Sequence, residues 1–68
     1  MDKLIYKRGI AKVEYINLGS VRLIHGKITM IDKRRRILFI ARSLNPDRAT
    51  PRLRIPFNSI TNIEYKRK

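Results

Sequence analysis

Gly26-Lys27-Ile28-Thr29-Met30-Ile31-Asp32, followed by Lys33-Arg34-Arg35-Arg36 and then Ile37-Leu38-Phe39-Ile40-Ala41-Arg42, reads as two extended runs joined at a turn. The first run alternates, with Ile28 and Met30 facing one way. The stretch from Asp32 to Arg36 has no apolar residue and is predicted to be the tip of a hairpin. The second run, Ile37 to Arg42, sets Leu38 and Ile40 on one face and Ile37, Phe39 and Ala41 on the other, which marks it as a central strand.

Outward from this hairpin the chain keeps the same style. Upstream, Val21 to His25 is extended, and Gly26 is expected to be a bulge or sharp bend inside one continuing strand rather than a reversal. Before it, Ala11 to Asn17 alternates Val13 and Tyr15 against Lys12, Glu14 and Ile16, and Asn17-Leu18-Gly19-Ser20 makes a turn. The first segment is either an opening strand through Leu4, Ile5 and Tyr6 or one short helix capped by Asp2; both readings end at Gly9. Downstream, Ser43 to Pro51 is a loop punctuated by Asn45-Pro46-Asp47. Arg52 to Phe57 then alternates, with Leu53, Ile55 and Phe57 inward and Arg52 and Arg54 outward, and Pro56 demotes this run to an edge strand or ends it. Asn58-Ser59 allows a helical or 3-10 turn before a last strand from Ile60 to Tyr65, and Lys66-Arg67-Lys68 forms a basic tail.

A chain of 68 residues makes one small basic domain, 1–68, with a marginal core. A flat sheet of five or six short strands would leave one apolar face wet. The expected fold is therefore all-β, a small five- or six-stranded SH3-like or Sm-like barrel, with room for one short N-terminal helix or 3-10 turn. There is no cysteine, so disulfides and thiolate metal sites are excluded, and the single His25 cannot anchor zinc. The N-terminus lacks the apolar stretch of a signal peptide, which predicts a cytoplasmic protein. Abundant Ile, Lys and Arg suit a heat-adapted archaeon or its virus.

Seventeen Lys and Arg stand against five Asp and Glu, a net charge of +12. Surfaces charged merely for solubility mix both signs, whereas this excess implies a polyanion, of which nucleic acid is the commonest. The candidate phosphate contacts are Arg22, Arg42, Arg52 and Arg54 on strands, where guanidinium groups would form a stripe. Arg34, Arg35 and Arg36 at the hairpin tip serve either as a second contact or to keep the tip soluble and unpaired. Phe39 and Phe57 are expected in the core. Tyr15 and Tyr65 are edge tyrosines able to pack and still present a stacking surface, and Tyr15 is taken as the candidate. One histidine gives no acid/base pair, the carboxylates show no ligand spacing, and no phosphate-binding glycine loop exists, so neither catalysis nor a cofactor is expected.

Val13-Glu14-Tyr15-Ile16-Asn17, Ile24-His25-Gly26, Ile55-Pro56-Phe57-Asn58-Ser59-Ile60 and Ile63-Glu64-Tyr65 together resemble the archaeal RNA cyclic group end recognition domain. The likeness runs from about residue 13 onward and lies in the apolar scaffold. The family's polar signature falls on Leu18-Gly19-Ser20, and its Tyr-His pair on Phe57-Asn58, so end recognition is not carried over. Gly26 to Ile40 joined to Ile55-Pro56 also resembles Sm-like barrels and archaeal RNase P barrel proteins, and pleckstrin-homology and GRAM-like sheets end similarly. These resemblances imply an RNA-related role.

The expected function is nucleic-acid binding, RNA ahead of DNA, through backbone phosphates. The rival is an interaction or assembly module, viral or part of a ribonucleoprotein, pairing through a strand edge with a partner or with its own copies. A membrane partner is not expected, because the sequence offers no obvious exposed apolar anchor. No small-molecule substrate is expected either.

Overall fold

In a computed structural model, which describes residues 4–66, the chain forms β1 (Gly9–Asn17), β2 (Ser20–Asp32), β3 (Ile37–Ala41), β4 (Arg52–Pro56) and β5 (Ile60–Tyr65). All neighbours are antiparallel, and the sheet order is β4-β3-β2-β1-β5. The fold is all-β. Residues 4–8 carry no helix, so the helical option for the first segment fails over that stretch; its cap Asp2, like Arg67 and Lys68, lies outside the described residues. A 3-10 turn, Phe57–Ser59, joins β4 to β5.

That short connection forces curvature. In a flat sheet of this order the edges β4 and β5 would lie four strand spacings apart, about 19 Å. Three extended residues reach only about 11 Å, and a 3-10 turn less. The sheet therefore curls, and its concave face collects Ala11, Val13, Ile24, Ile28, Leu38, Ile40, Ile55 and Ile60, at least one from every strand, into a single buried cluster. The two edges are not paired with each other, so the sheet is open.

Two local devices shape it. Leu18 and Gly19, both at positive φ (52° and 78°), make the two-residue β1–β2 turn, whose hand matches the strand twist. Gly26 does lie within one continuing strand, and the β1–β2 register runs through it without a bulge. It lies mid-strand where the Ala41 carbonyl crosses so closely that a Cβ would sit 1.7 Å from its oxygen. The bulge is at Thr29, the extra residue between the Ile28–Ile40 and Met30–Phe39 pairs. It reverses the faces beyond it: Ile31 packs against the core, and Met30, expected beside Ile28, turns out and is 48% exposed.

The first segment packs on the core without joining the sheet. Leu4 and Tyr6 cover it, with the Tyr6 ring stacked on Phe57 at 3.9 Å between centroids. The Tyr65 hydroxyl clamps this segment, donating to the Ile5 carbonyl and accepting the Lys7 amide at 2.9 Å, with the Lys7 ammonium 4.8 Å from its ring centroid. Burial pushes the Tyr65 phenol up, against the opposing pull of the Lys7 amide. The clamp's contribution is thus complete below the free phenol's value of about 10 and is lost as pH rises through the higher folded value. Alkaline titration of the unfolding midpoint should show this loss, and Tyr65→Phe should be less stable at neutral pH and flatter above pH about 10. An unchanged alkaline slope in that variant would remove the clamp.

Candidate nucleic-acid interface

The convex face of β2, β3 and β4 reads as two cross-strand rows. Lys27 faces Ala41, which faces Arg52; Met30 faces Phe39, which faces Arg54. Lys27, Arg52 and Arg54 are exposed because their neighbours Ile28, Leu53 and Ile55 turn toward the core. In each row the outer cation sits one or two strand spacings, about 5–10 Å, from the next group. Lys12 and His25 face each other on the same surface toward β1, opposite Glu64.

Phe39 is the main departure from expectation. It lies on this convex face, half-buried and outside the core cluster, between Met30 and Arg54. A central strand with apolar residues on both faces does not reveal which one is covered. Here the covered face carries Leu38 and Ile40. Phe57 does pack against the core. Tyr15, the expected stacking residue, also packs against the core from the concave side, facing Arg22 across the β1–β2 pair. Arg22 is exposed, but it stands at the hairpin's far end, apart from the convex rows.

Arg52 is partly committed to structure. Its Nη1 donates to the Asp47 carbonyl at 2.9 Å and to the Thr50 carbonyl, tying the Ser43–Pro51 loop to β4. A guanidinium has five N–H donors, so the others stay available. The Asp47 carboxylate does not neutralise it. That group accepts from the Thr50 hydroxyl and from the Ala49 and Thr50 amides, which hold it below the usual carboxylate range. Arg42, just beyond β3, is exposed and lines an apolar cleft with Thr50, Pro51 and Leu53.

At the β2–β3 turn Asp32 accepts from the Arg34 and Arg35 amides at 3.1 and 3.0 Å, and Arg36 closes the turn at φ 58°. Its carbonyl receives the Phe57 amide at 2.8 Å, which ties the basic tip to the 3-10 turn. Arg35 and Asp32, 3.9 Å apart, form the only side-chain ion pair among the described residues. Among the described residues the cations of the convex rows thus have no carboxylate partner.

Sequence reading missed Lys27 and the Met30–Phe39 pair as members of this surface, and Arg8, which shares a groove with Lys27 and Arg52. Lys27 was within reach, since it alternates with Ile28; the other side chains required the bulge and the path of the first segment. Among the described residues no three His, Cys, Asp or Glu side chains are placed to hold a metal ion. An exposed apolar surface does exist, contrary to the expectation from sequence: Ile16, Leu18, Val21 and Leu23 cluster at the β1–β2 hairpin end, with Leu18 95% exposed. Compared with protein-family models, curated proteins and solved structures, the chain finds no match.

Proposed function

We propose that this protein binds nucleic acid, RNA ahead of DNA, by laying the phosphate backbone across the convex face of β2–β3–β4. The observation that carries this reading is the pair of rows without a carboxylate partner among the described residues, in which Lys27, Arg52 and Arg54 flank a half-buried Phe39 and an exposed Met30. Phosphates meet the cations, and a base ring can lie on Phe39, which takes over the stacking role expected of Tyr15. Arg42 and the Lys33–Arg36 turn extend the basic surface at either end. The curled sheet is read as an incompletely closed Sm-like barrel, and the scaffold's likeness to small RNA-related barrels is what favours RNA. No catalytic step is proposed.

About six phosphate contacts on a single strand give a log–log salt slope near −4, a loss of roughly 10²–10³ in affinity between about 50 and 200 mM salt. Fluorescence anisotropy with labelled RNA and DNA oligonucleotides across that range measures it, and a flat profile would defeat the reading. Arg54→Gln should lower the slope by about 0.7 without moving the thermal midpoint. Adding Arg52→Gln should weaken binding further and also loosen the Asp47–Thr50 loop.

A second reading, self-assembly or partner binding through a strand edge, has its own support. β3 pairs with β2 only from Lys27 onward, so the β2 edge from Val21 to His25 is open beside exposed Val21 and Leu23. Sedimentation of nuclease-treated protein separates the two, since edge pairing survives high salt and charge-driven assembly on nucleic acid does not.

A further inference from the structure

We propose that the groove at the β2 bulge is a seat for one phosphate group, and we assign as its natural occupant a backbone phosphodiester of the bound nucleic acid. The assignment deepens the function proposed above and rests on it for the source of the phosphate.

Arg8 from the first segment, Lys27 from β2 and Arg52 from β4 line one groove of about 430 Å³, together with Gly9, Thr29 and Pro46. Residues 8, 27 and 52 are distant in the chain, and the fold gathers their charges with no carboxylate among the described residues of the lining. Converging like charges repel, and a bound dianion or monoanion turns that repulsion into attraction. Two features prepare the site. The Asp47 and Thr50 carbonyls fix one edge of the Arg52 guanidinium, so little side-chain freedom is left to lose on binding. The bulge leaves Thr29 outside the β2–β3 register and in the lining of the groove, where its hydroxyl can supply an uncharged hydrogen bond beside the cations. Gly9, at φ +136° and with open space around its Cβ position, keeps the β1 side of the groove unobstructed.

The test uses amide NMR of the whole chain titrated with inorganic phosphate, and with chloride at matched ionic strength. Phosphate should give saturable shifts centred on Gly9, Lys27 and Thr29, and chloride should not. Arg52 also holds a loop, so the variant of choice is the double Arg8→Gln, Lys27→Gln, both side chains being exposed. It should abolish the phosphate shifts while keeping the dispersed spectrum, and lower the RNA-oligonucleotide salt slope by about 1.4. Shifts that track ionic strength regardless of the anion, or that persist in the double variant, would overturn the seat. Oligonucleotide binding with a silent bulge sinks the seat alone and leaves the wider nucleic-acid reading standing. Saturable phosphate binding with no oligonucleotide affinity overturns the phosphodiester assignment and the nucleic-acid reading with it.

Discussion

Gly26→Ala is expected to leave the chain unfolded at 25 °C. The added methyl would sit 1.7 Å from the Ala41 carbonyl oxygen, 2.8 Å from its carbon and 3.0 Å from the Arg42 Cα, all main-chain atoms that cannot swing aside. Relief requires β3 to separate from β2 where Lys27 faces Ala41 and Ile28 faces Ile40, and Ile28, Ile40 and Ala41 are all fully buried there. Overpacking in contact with mobile side chains costs about 1–3 kcal/mol, and displacing a central strand costs more. A domain of this length has only about 3–10 kcal/mol in total. Circular dichroism and urea titration check it; a native midpoint would mean that β3 does not cross β2 at this point. Gly19→Ala is the control, since it meets no atom within 4 Å and suffers only from its φ of +78°. Its expected cost is about 1–2 kcal/mol.

The second large effect is Ile28→Ala, at about 2–5 kcal/mol, because the side chain is fully enclosed and contacts the core on the strand that joins both halves of the sheet. Phe39→Ala removes more atoms but should cost less than Ile28→Ala. Phe39 is half-buried on the convex face and outside the core cluster, and its loss should register in oligonucleotide affinity instead. Thermal midpoints and anisotropy on the two variants decide between these assignments. A Phe39 variant as unstable as the Ile28 one would return the ring to the core.

Much of the fold was readable because period-two patterning is local. The last strand, Ile60 to Tyr65, the basic tip at Lys33–Arg36 and the faces of β1 and β4 all follow from alternation and turn residues. Alternation breaks silently at a bulge, so nothing near Thr29 announced that Met30 would turn away from Ile28. Nor does a run such as Ile37-Leu38-Phe39-Ile40 carry a label for its buried side. The candidate surface was legible where it depended on arginine alternation, at Arg52 and Arg54. It was illegible where chain-distant groups meet, as Arg8 and Lys27 do. Tyr15 shows what alternation leaves open: it shares the Val13 face, and the curl of the sheet gives its ring a core to cover.

The strand order also sets a timetable. Three of the four ladders, β1–β2, β2–β3 and β3–β4, join consecutive strands through turns and one loop, and can form as soon as their residues meet. Only β1–β5 is non-local: Val13 pairs with Ile63, and Ala11 with Tyr65, across nearly the whole chain. Loop closure makes such a ladder the slowest to assemble, and contacts that form after the transition state are those whose loss speeds unfolding most directly. Until Ile60–Tyr65 return, β1 presents an unsatisfied edge, and Tyr65 cannot yet hold the first segment over the core. A nascent or transiently opened chain is therefore most exposed to misassociation along β1, a hazard that its strong mutual charge repulsion counteracts.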